Sequence, residues 1–186
     1  MTTIRSIAAT AASTLCIALA CSGAQAQSVS IDPIALTVGK GDTFSLTLQA
    51  EDFALAVLGG GFNLTFDAAV LRLDSVVIPA NWEFAKSGGL IDNASGTLNG
   101  AYFATNFPVP GDVKLATLNF TAINFGESLV TPQTFAEQPF VEDGAIEATL
   151  PTYKFATVTV AVPEPSSVAL LLAGGLALAR LRSRRS

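Results

Sequence analysis

The sequence predicts one all-β domain, an antiparallel β-sandwich, over residues 27–161 of the 186-residue chain. Three observations lead to this fold class. Apolar and polar residues alternate in several runs, glycine- and proline-containing clusters separate those runs, and no amphipathic pattern is long enough to supply the helices of an α/β fold. The window is long enough for one domain with a core, and no repeat or low-complexity linker divides it.

Alternation with a period of two places one side of a strand in a core and the other in water. Three runs show it: Phe44, Leu46, Leu48 and Ala50; Phe62, Leu64 and Phe66; and Ala116, Leu118, Phe120 and Ala122. Four clusters are predicted to break the chain between runs, at residues 39–42, 59–61, 87–89 and 110–112. Eight or nine short strands with this spacing are typical of a sandwich.

Local physics predicts one tight turn and one close approach of strands. The side-chain oxygen of Asp67 is suited to cap a single helical turn, after which Leu71 enters the core. Gly60 and Gly61 permit a bulge or a close strand neighbour where a central strand begins.

These segments resemble a cohesin-type domain, a jelly-roll sandwich. The resemblance rests on Gly-Asp-Thr-Phe at 41–44, Gly-Gly-Phe at 60–62, Phe-Asp-Ala-Ala-Val-Leu at 66–71, and the alternating run at 111–120. It covers about two thirds of the domain. It implies a non-catalytic interaction module, whose usual partner in that family is a dockerin domain. Related sandwiches include carbohydrate-binding modules.

The N-terminal 26 residues have the composition of a signal peptide. Arg5 supplies the positive region, residues 7–20 the apolar region, and Ala24 and Ala26 the small residues that signal peptidase requires. We expect cleavage after Ala26, so that the mature chain begins at Gln27. A lipoprotein signal ending at Cys21 is the alternative, although the leucine expected three residues before the cysteine is replaced by Ala18.

The last 25 residues, 162–186, have three parts. The motif Val162, Pro163, Glu164 and Pro165 is forced into an extended shape because each proline fixes its own φ and restricts the residue before it. Residues 166–179 predict a short apolar transmembrane helix, and its uncharged stretch 168–179 spans only about 18 Å of a hydrocarbon core that is ~30 Å thick. The arginine-rich end 180–186 carries Arg180, Arg182, Arg184 and Arg185, which keep the C-terminus in the cytoplasm.

This tail resembles the PEP-CTERM sorting signal of Gram-negative bacteria, which has the same three parts in the same order. The resemblance implies recognition by an exosortase, transient insertion in the inner membrane, removal of the tail, and delivery to the cell surface or the extracellular matrix among exopolysaccharide, as in a biofilm. A plain single-span anchor is the alternative. A nucleic-acid-binding tail is disfavoured because the arginines directly follow an apolar run.

Without these two ends the protein has a different character. Both cysteines, Cys16 and Cys21, lie before residue 27, and the sequence has no histidine. Residues 27–165 hold five basic and fifteen acidic side chains, a formal charge of −10. Such a charge repels nucleic acid and anionic surfaces and attracts hard cations.

The carboxylates do not predict an enzyme. Acid–base catalysis commonly uses histidine, or two carboxylates that face each other across a cleft. Adjacent acids occur only as Glu51-Asp52 and Glu142-Asp143, and neighbours on a strand point to opposite faces, so we expect solvated surface charges. We therefore predict no catalytic residue.

No cofactor and no dedicated metal site are predicted. The oxygen donors of Asp92, Asn93, Asp112, Glu142 and Asp143 lie in loop-like stretches, which suits calcium, but no EF-hand loop is present. A structural calcium ion stays as a minor alternative.

Trp82 is the one candidate for ligand contact, because it is the single tryptophan in the chain. A sugar-binding strip usually needs several exposed aromatic rings, so a half-buried position at the edge of the sandwich is the competing interpretation. Sequons at Asn63, Asn93 and Asn119 are interpreted as chance matches to the motif.

These features predict two possible functions. The first is a surface module that binds a protein or polysaccharide partner. The alternative is an extracellular carbohydrate-binding module or, less favoured, a carbohydrate-active enzyme.

Intact-mass analysis of the exported protein tests both ends at once. We expect a chain that begins at Gln27 and ends near Pro163-Glu164-Pro165, since a rigid motif precedes an anchor that is too short to be permanent. Glu164→Ala is expected to retain the protein in the inner membrane. A surface form that still carries Arg184 and Arg185, or a lipid-modified Cys21, would contradict these assignments.

Overall fold

The structure is a computed structural model, and it describes residues 27–162. This part of the chain is all-β, as predicted, and the described residues contain no helix. It has thirteen strands. They are β1 (Ser28–Asp32), β2 (Ala35–Gly39), β3 (Thr43–Glu51), β4 (Val57–Thr65), β5 (Leu71–Val77), β6 (Ala85–Ser87), β7 (Leu90–Asp92), β8 (Thr97–Val109), β9 (Val113–Ala122), β10 (Gly126–Thr134), β11 (Val141–Glu142), β12 (Thr152–Tyr153) and β13 (Ala156–Ala161).

Two sheets pack face to face. Sheet A has the order β12-β1-β3-β9-β5, and sheet B has the order β2-β13-β10-β4-β8-β6, with β11 added to β4 and β7 to β8. Most pairs are antiparallel, as predicted, but β1 with β12 and β13 with β2 are parallel. In both parallel pairs a strand near the start of the described chain lies beside one near its end, and both segments change sheets: β1 in sheet A is followed by β2 in sheet B, and β12 in sheet A by β13 in sheet B.

The predicted alternation forms the core. Leu46, Leu48 and Ala50 of β3 are 0% exposed, and so is every apolar member of the run on β9. These two strands lie side by side in sheet A, where Leu46 pairs with Leu118 and Phe44 with Phe120. Phe44 is only partly buried, because it lies near the end of its strand.

The prediction of a chain break at residues 59–61 is wrong. All three glycines lie inside β4, which pairs with β8 on one side and with β10 and β11 on the other. A Cβ on Gly59 would lie 2.8 Å from the carbonyl oxygen of Phe103, and a Cβ on Gly61 would lie 2.7 Å from the ring of Phe135. The glycines therefore permit close packing within a strand, which is the second role predicted for Gly60 and Gly61.

The turn predicted at Asp67 is confirmed. Its Oδ1 accepts a hydrogen bond from the N–H of Ala69 at 2.8 Å. Its carbonyl oxygen accepts from the N–H groups of Val70 and Leu71, at 3.1 and 2.9 Å. Leu71 then enters the core with 0% exposure.

The described chain enters and leaves at opposite ends of the sandwich. Ser28 pairs with Glu51, and Asp143 donates its N–H to Ala56, so residues 27–28, 51–56, 110–113 and 142–149 form one end, the far end. Ala161 pairs with Gly39 and Val160 with Gly126, so residues 39–42, 67–70, 123–126 and Val162 form the other, the tail end.

The signal peptide and the membrane helix were predicted for residues outside 27–162. Within residues 27–162, no helix has the length and apolar character needed to cross a membrane. The signal peptide predicted for residues 1–26 and the apolar helix predicted for 166–179 lie outside the described residues.

Gly61→Ala is expected to lower the free energy of unfolding by about 1–3 kcal/mol, because the new methyl group overlaps the Phe135 ring and the backbone of Ala101. Urea unfolding of the protein measures this. Gly39→Ala is the control, since its Cβ would meet only the movable carboxylate of Asp42. Equal losses in the two variants would contradict the packing argument.

Candidate interaction surface

The outer face of sheet A is a polar surface whose side chains bind one another. Ser45 donates to Asn119 Oδ1 at 2.7 Å, and Asn119 Nδ2 donates to Ser75 at 2.9 Å, which joins β3, β9 and β5. Beside them Arg72 Nε lies 2.7 Å from Asp74 Oδ1. These groups already satisfy each other, so a partner would gain little by contacting them.

Glu51 organises the opposite edge of the same face. Its carboxylate accepts from Ser30 Oγ at 2.7 Å and from Gln49 Nε2 at 2.7 Å, and it lies 3.2 Å from Lys154 Nζ. The hydroxyl of Ser30 is the main cause that lowers the pKa of Glu51, and partial burial opposes it. The cluster also covers Ser28 and Ser30, which are 1% and 4% exposed.

The outer face of sheet B is different, because it carries few charged side chains: Glu127 on β10 and, at its edge, Asp92 on β7, which pairs with Thr97. Strand pairing shows which side chains of β13, β10, β4 and β8 share this side. We name it the neutral face, defined by Thr157, Thr159, Glu127, Leu129, Thr131, Gln133, Gly59, Gly61, Asn63, Thr65, Thr97, Tyr102 and Ala104. Glu127 is the one charged member of this set.

Apolar side chains lie along the neutral face. Leu129 is 50% exposed at the middle of β10. Further along the same chain, the ring of Phe135 lies over Gly61 and Gly100, which have no side chains to displace it. Tyr102 pairs with Gly61 and is partly exposed, so both aromatic residues neighbour the same glycine. The face therefore combines a flat backbone, threonine hydroxyls and a few apolar contacts.

Trp82 does not lie on either outer face of the sandwich. Its side chain is 0% exposed, its ring centroid is 4.6 Å from that of Phe103, and its Nε1 donates to the carbonyl oxygen of Lys114 at 3.1 Å. The expectation of a ligand contact at Trp82 is wrong for this structure, because a ring inside the core has no surface to offer a sugar. The alternative of a half-buried edge position also underestimated its burial.

The paired acids divide into exposed and buried members. Asp52 and Asp143 are exposed, as expected of surface charges. Glu142 is instead 4% exposed, and its carboxylate accepts from Gln27 Nε2 at 3.0 Å, from the N–H of Leu55 at 2.8 Å, and from the hydroxyl of Thr149. The prediction of a solvated Glu142 is therefore wrong. Nothing in the local sequence pattern indicates its burial, since two of its three partners, Gln27 and Leu55, are 115 and 87 residues away.

The candidate calcium donors are not brought together. Asp92 caps its own turn by accepting from the N–H of Ala94 at 2.9 Å, and Asp112 accepts from the N–H of Asp52 at 3.2 Å. Asn93 binds both backbone groups of Leu73, with distances of 2.9 and 3.0 Å. In residues 27–162 no three histidine, cysteine or acidic side chains are grouped so that they could hold a metal ion.

Asn93 also protects the free edge of β5, because its amide pairs with the backbone as a neighbouring strand would. The amides at the other two sequons are engaged as well. Asn63 Nδ2 donates to the carbonyl oxygen of Thr134 at 3.0 Å, and Asn119 binds Ser45 and Ser75.

The residues predicted for sorting and processing lie almost wholly outside the described part. Val162 is described and is 63% exposed. Outside it lie Ala24 and Ala26 at the predicted signal cleavage site, the motif residues Pro163, Glu164 and Pro165, and the arginines Arg180, Arg182, Arg184 and Arg185.

Comparison with known proteins shows similarity in structure but none in sequence. No family model matches the chain, and no curated protein matches it. Solved structures do match: the CaCohA2 module from Clostridium acetobutylicum has a TM-score of 0.57 at 17% identity and covers 75% of this chain and 95% of its own.

Two further structures agree. The Coh-OlpA-Doc918 complex from Clostridium thermocellum, a type I cohesin–dockerin complex, gives a TM-score of 0.59 at 9% identity over 73% of this chain and 99% of the matched chain. The seventh ScaB type I cohesin from Pseudobacteroides cellulosolvens gives 0.59 at 14% identity over 75% and 95%. The described domain has a cohesin-like fold. The fold class predicted from the sequence is thereby confirmed. Because the sequence identities are so low, the similarity concerns the fold of this domain alone.

The stability of the cohesin-like domain is expected to depend on the ionisation of Glu51. Because its pKa is lowered on folding from the ordinary value of 4.5, ionised Glu51 stabilises the fold at neutral pH, and this contribution is lost as pH falls through the folded-state pKa. Glu51→Gln should therefore be less stable than the wild type at pH about 7, with the difference shrinking toward pH about 3.

Thermal unfolding across this pH range checks the prediction. Glu127→Gln, altered at an exposed carboxylate of the other sheet, is the control. A stability difference between wild type and Glu51→Gln that is the same at every pH would contradict it.

Proposed function

We propose that this protein is a non-catalytic interaction module that binds a protein partner through the neutral face. The contrast between its two outer surfaces carries the proposal. On sheet A the polar groups bind one another, whereas the neutral face presents Leu129, Tyr102 and Phe135 with one carboxylate within it, Glu127, and one at its edge, Asp92. A partner that covers the neutral face removes apolar surface from water and has few charges to desolvate.

The rest of the domain supports a binding role. Five basic and fifteen acidic residues between 27 and 165 disfavour nucleic acid and other polyanions as partners. The carboxylates of Glu51 and Glu142 each accept hydrogen bonds from their own set of neighbouring groups, which is a structural use of both side chains.

A dockerin-like domain is the partner that the fold suggests, since one of the matched structures is described as a cohesin–dockerin complex. A polysaccharide is the second candidate. The burial of Trp82 removes the aromatic platform on which that candidate was based, so the carbohydrate-binding alternative now depends on Tyr102 and Phe135 alone.

We further propose the route by which the module reaches its partner. Signal peptidase removes residues 1–26, and the PEP-CTERM tail, 162–186, holds the chain transiently in the inner membrane until an exosortase cleaves it. The cohesin-like domain 27–161 is then displayed at the cell surface or in an exopolysaccharide matrix of the biofilm type. The order of the three tail segments in the sequence supports this route.

Leu129→Lys tests the neutral face. Complexes formed by the exported wild-type protein are isolated, the bound protein is identified by mass spectrometry, and its Kd is then measured for the variants. We expect Leu129→Lys to weaken binding by roughly tenfold or more, because it replaces an exposed apolar side chain of the proposed contact surface by a charge that the partner would have to desolvate.

Thr47→Lys, which adds the same charge to the outer face of sheet A, should bind like the wild type. Equal binding by both variants would contradict the assignment of the face. Recovery of a polysaccharide in place of a protein would favour the carbohydrate-binding alternative.

A further inference from the structure

The tail end of the sandwich exposes apolar side chains beside the point where the chain leaves the domain. Phe125 is 43% exposed, Ile123 36% and Val162 63%. Phe125 and Ile123 lie in the turn between β9 and β10, and Gly126, at the end of that turn, pairs with Val160 near the end of β13. The three apolar residues therefore share one end of the molecule.

Lys40 adds a cationic group to the same surface. Its Nζ donates to Asn124 Oδ1 at 3.0 Å and lies 5.4 Å from the centroid of the Phe125 ring. Apolar side chains such as phenylalanine can enter the boundary between headgroups and acyl chains, while a neighbouring lysine keeps its amine in water.

Other charges at this end are negative. Asp42, Asp67 and Glu127 are exposed, and the carboxylates of Asp42 and Asp67 are held by the backbone N–H groups of Gly39 and Ala69. Three carboxylates outnumber the one lysine, Lys40, so electrostatic attraction to an anionic lipid surface is not expected at the tail end. Any contact with lipid must come from the apolar side chains.

The length of chain beyond β13 limits how far this end can be from a membrane. Six residues, 162–167, separate Ala161 from the uncharged run 168–179. Fully extended, they span at most about 20 Å. The headgroup layer fills part of that distance, since it adds roughly 5–8 Å on each side of the hydrocarbon core.

We infer that, in the precursor that still carries its tail, the tail end rests on the lipid surface through Phe125, Ile123 and Val162. The inference rests on the proposed insertion of residues 166–179 and adds a contact that the insertion alone does not require. In this arrangement β9, ten residues long, holds the far end about 30 Å from the surface. The neutral face then stands upright and open to a partner before cleavage.

The experiment uses the signal-peptidase-processed chain with its tail retained, reconstituted in phosphatidylcholine vesicles. Cys16 and Cys21 are absent from this form, so Thr43→Cys supplies a single thiol at the tail end for a small fluorescent label. Quenching of the label by spin-labelled headgroups reports its closeness to the lipid. Phe125→Ser is compared with Phe107→Ser, which removes an equally large, exposed ring from the far side of the molecule.

We expect quenching in the parent chain, a loss of quenching with Phe125→Ser, and no change with Phe107→Ser. Emission from the buried Trp82 confirms that each variant is folded. Quenching that is unaffected by Phe125→Ser, or that requires anionic lipid, would overturn the inference, because the tail would then act only as a tether or charge would supply the contact.

Protease protection of residues 168–186 is measured in the same vesicles. If those residues are protected but the label is insensitive to Phe125→Ser, the lipid contact is wrong and the proposed insertion stands. If they are not protected, the proposed insertion itself fails.

Discussion

The packing around the glycines of β4 is the constraint on which most of this structure depends. Because Gly59, Gly60 and Gly61 have no side chains, β8 approaches β4 closely on one side while the segment between β10 and β11 bends around it on the other. Phe140 thereby enters the core, where its ring lies 5.6 Å from that of Phe103, and Phe135 covers Gly61 on the outer face. One stretch of backbone thus sets both the aromatic core and the shape of the neutral face.

Each surface of the sandwich has a separate chemical character. Sheet A turns outward a set of polar groups that bind one another, and Glu51 and Glu142 stabilise strands and loops at the far end through hydrogen bonds from distant segments. Sheet B turns outward a neutral surface suited to a partner. The tail end combines Phe125, Ile123 and Lys40 where the chain continues toward its apolar run. The proposed partner surface and the proposed lipid contact lie on different parts of the sandwich, which meet at Glu127.

Sequence reasoning succeeded where the cause of structure is local. The alternation on β3 and β9 predicted buried residues because side chains of a strand point to opposite faces in turn, and Asp67 predicted its turn because the capping oxygen and the N–H of Ala69 are two residues apart. It failed for Glu142, for Trp82 and for the position of residues 59–61. Their environments are made by segments 30 to more than 100 residues away, as the hydrogen bonds from Trp82 to Lys114 and from Gln27 to Glu142 show.

By itself, the sequence determined the all-β class and most of the core, since these follow from a period of two and from composition. It also carries the terminal segments predicted to act in sorting, and that prediction depends on short linear motifs. Only the tertiary structure decided which of the two sheets has an outer face with few charged side chains and which acids are buried. It also decided that the described chain enters the sandwich at one end and leaves it at the other. These features depend on strand register and on how the two sheets pack, and neither is encoded in any single stretch of the chain.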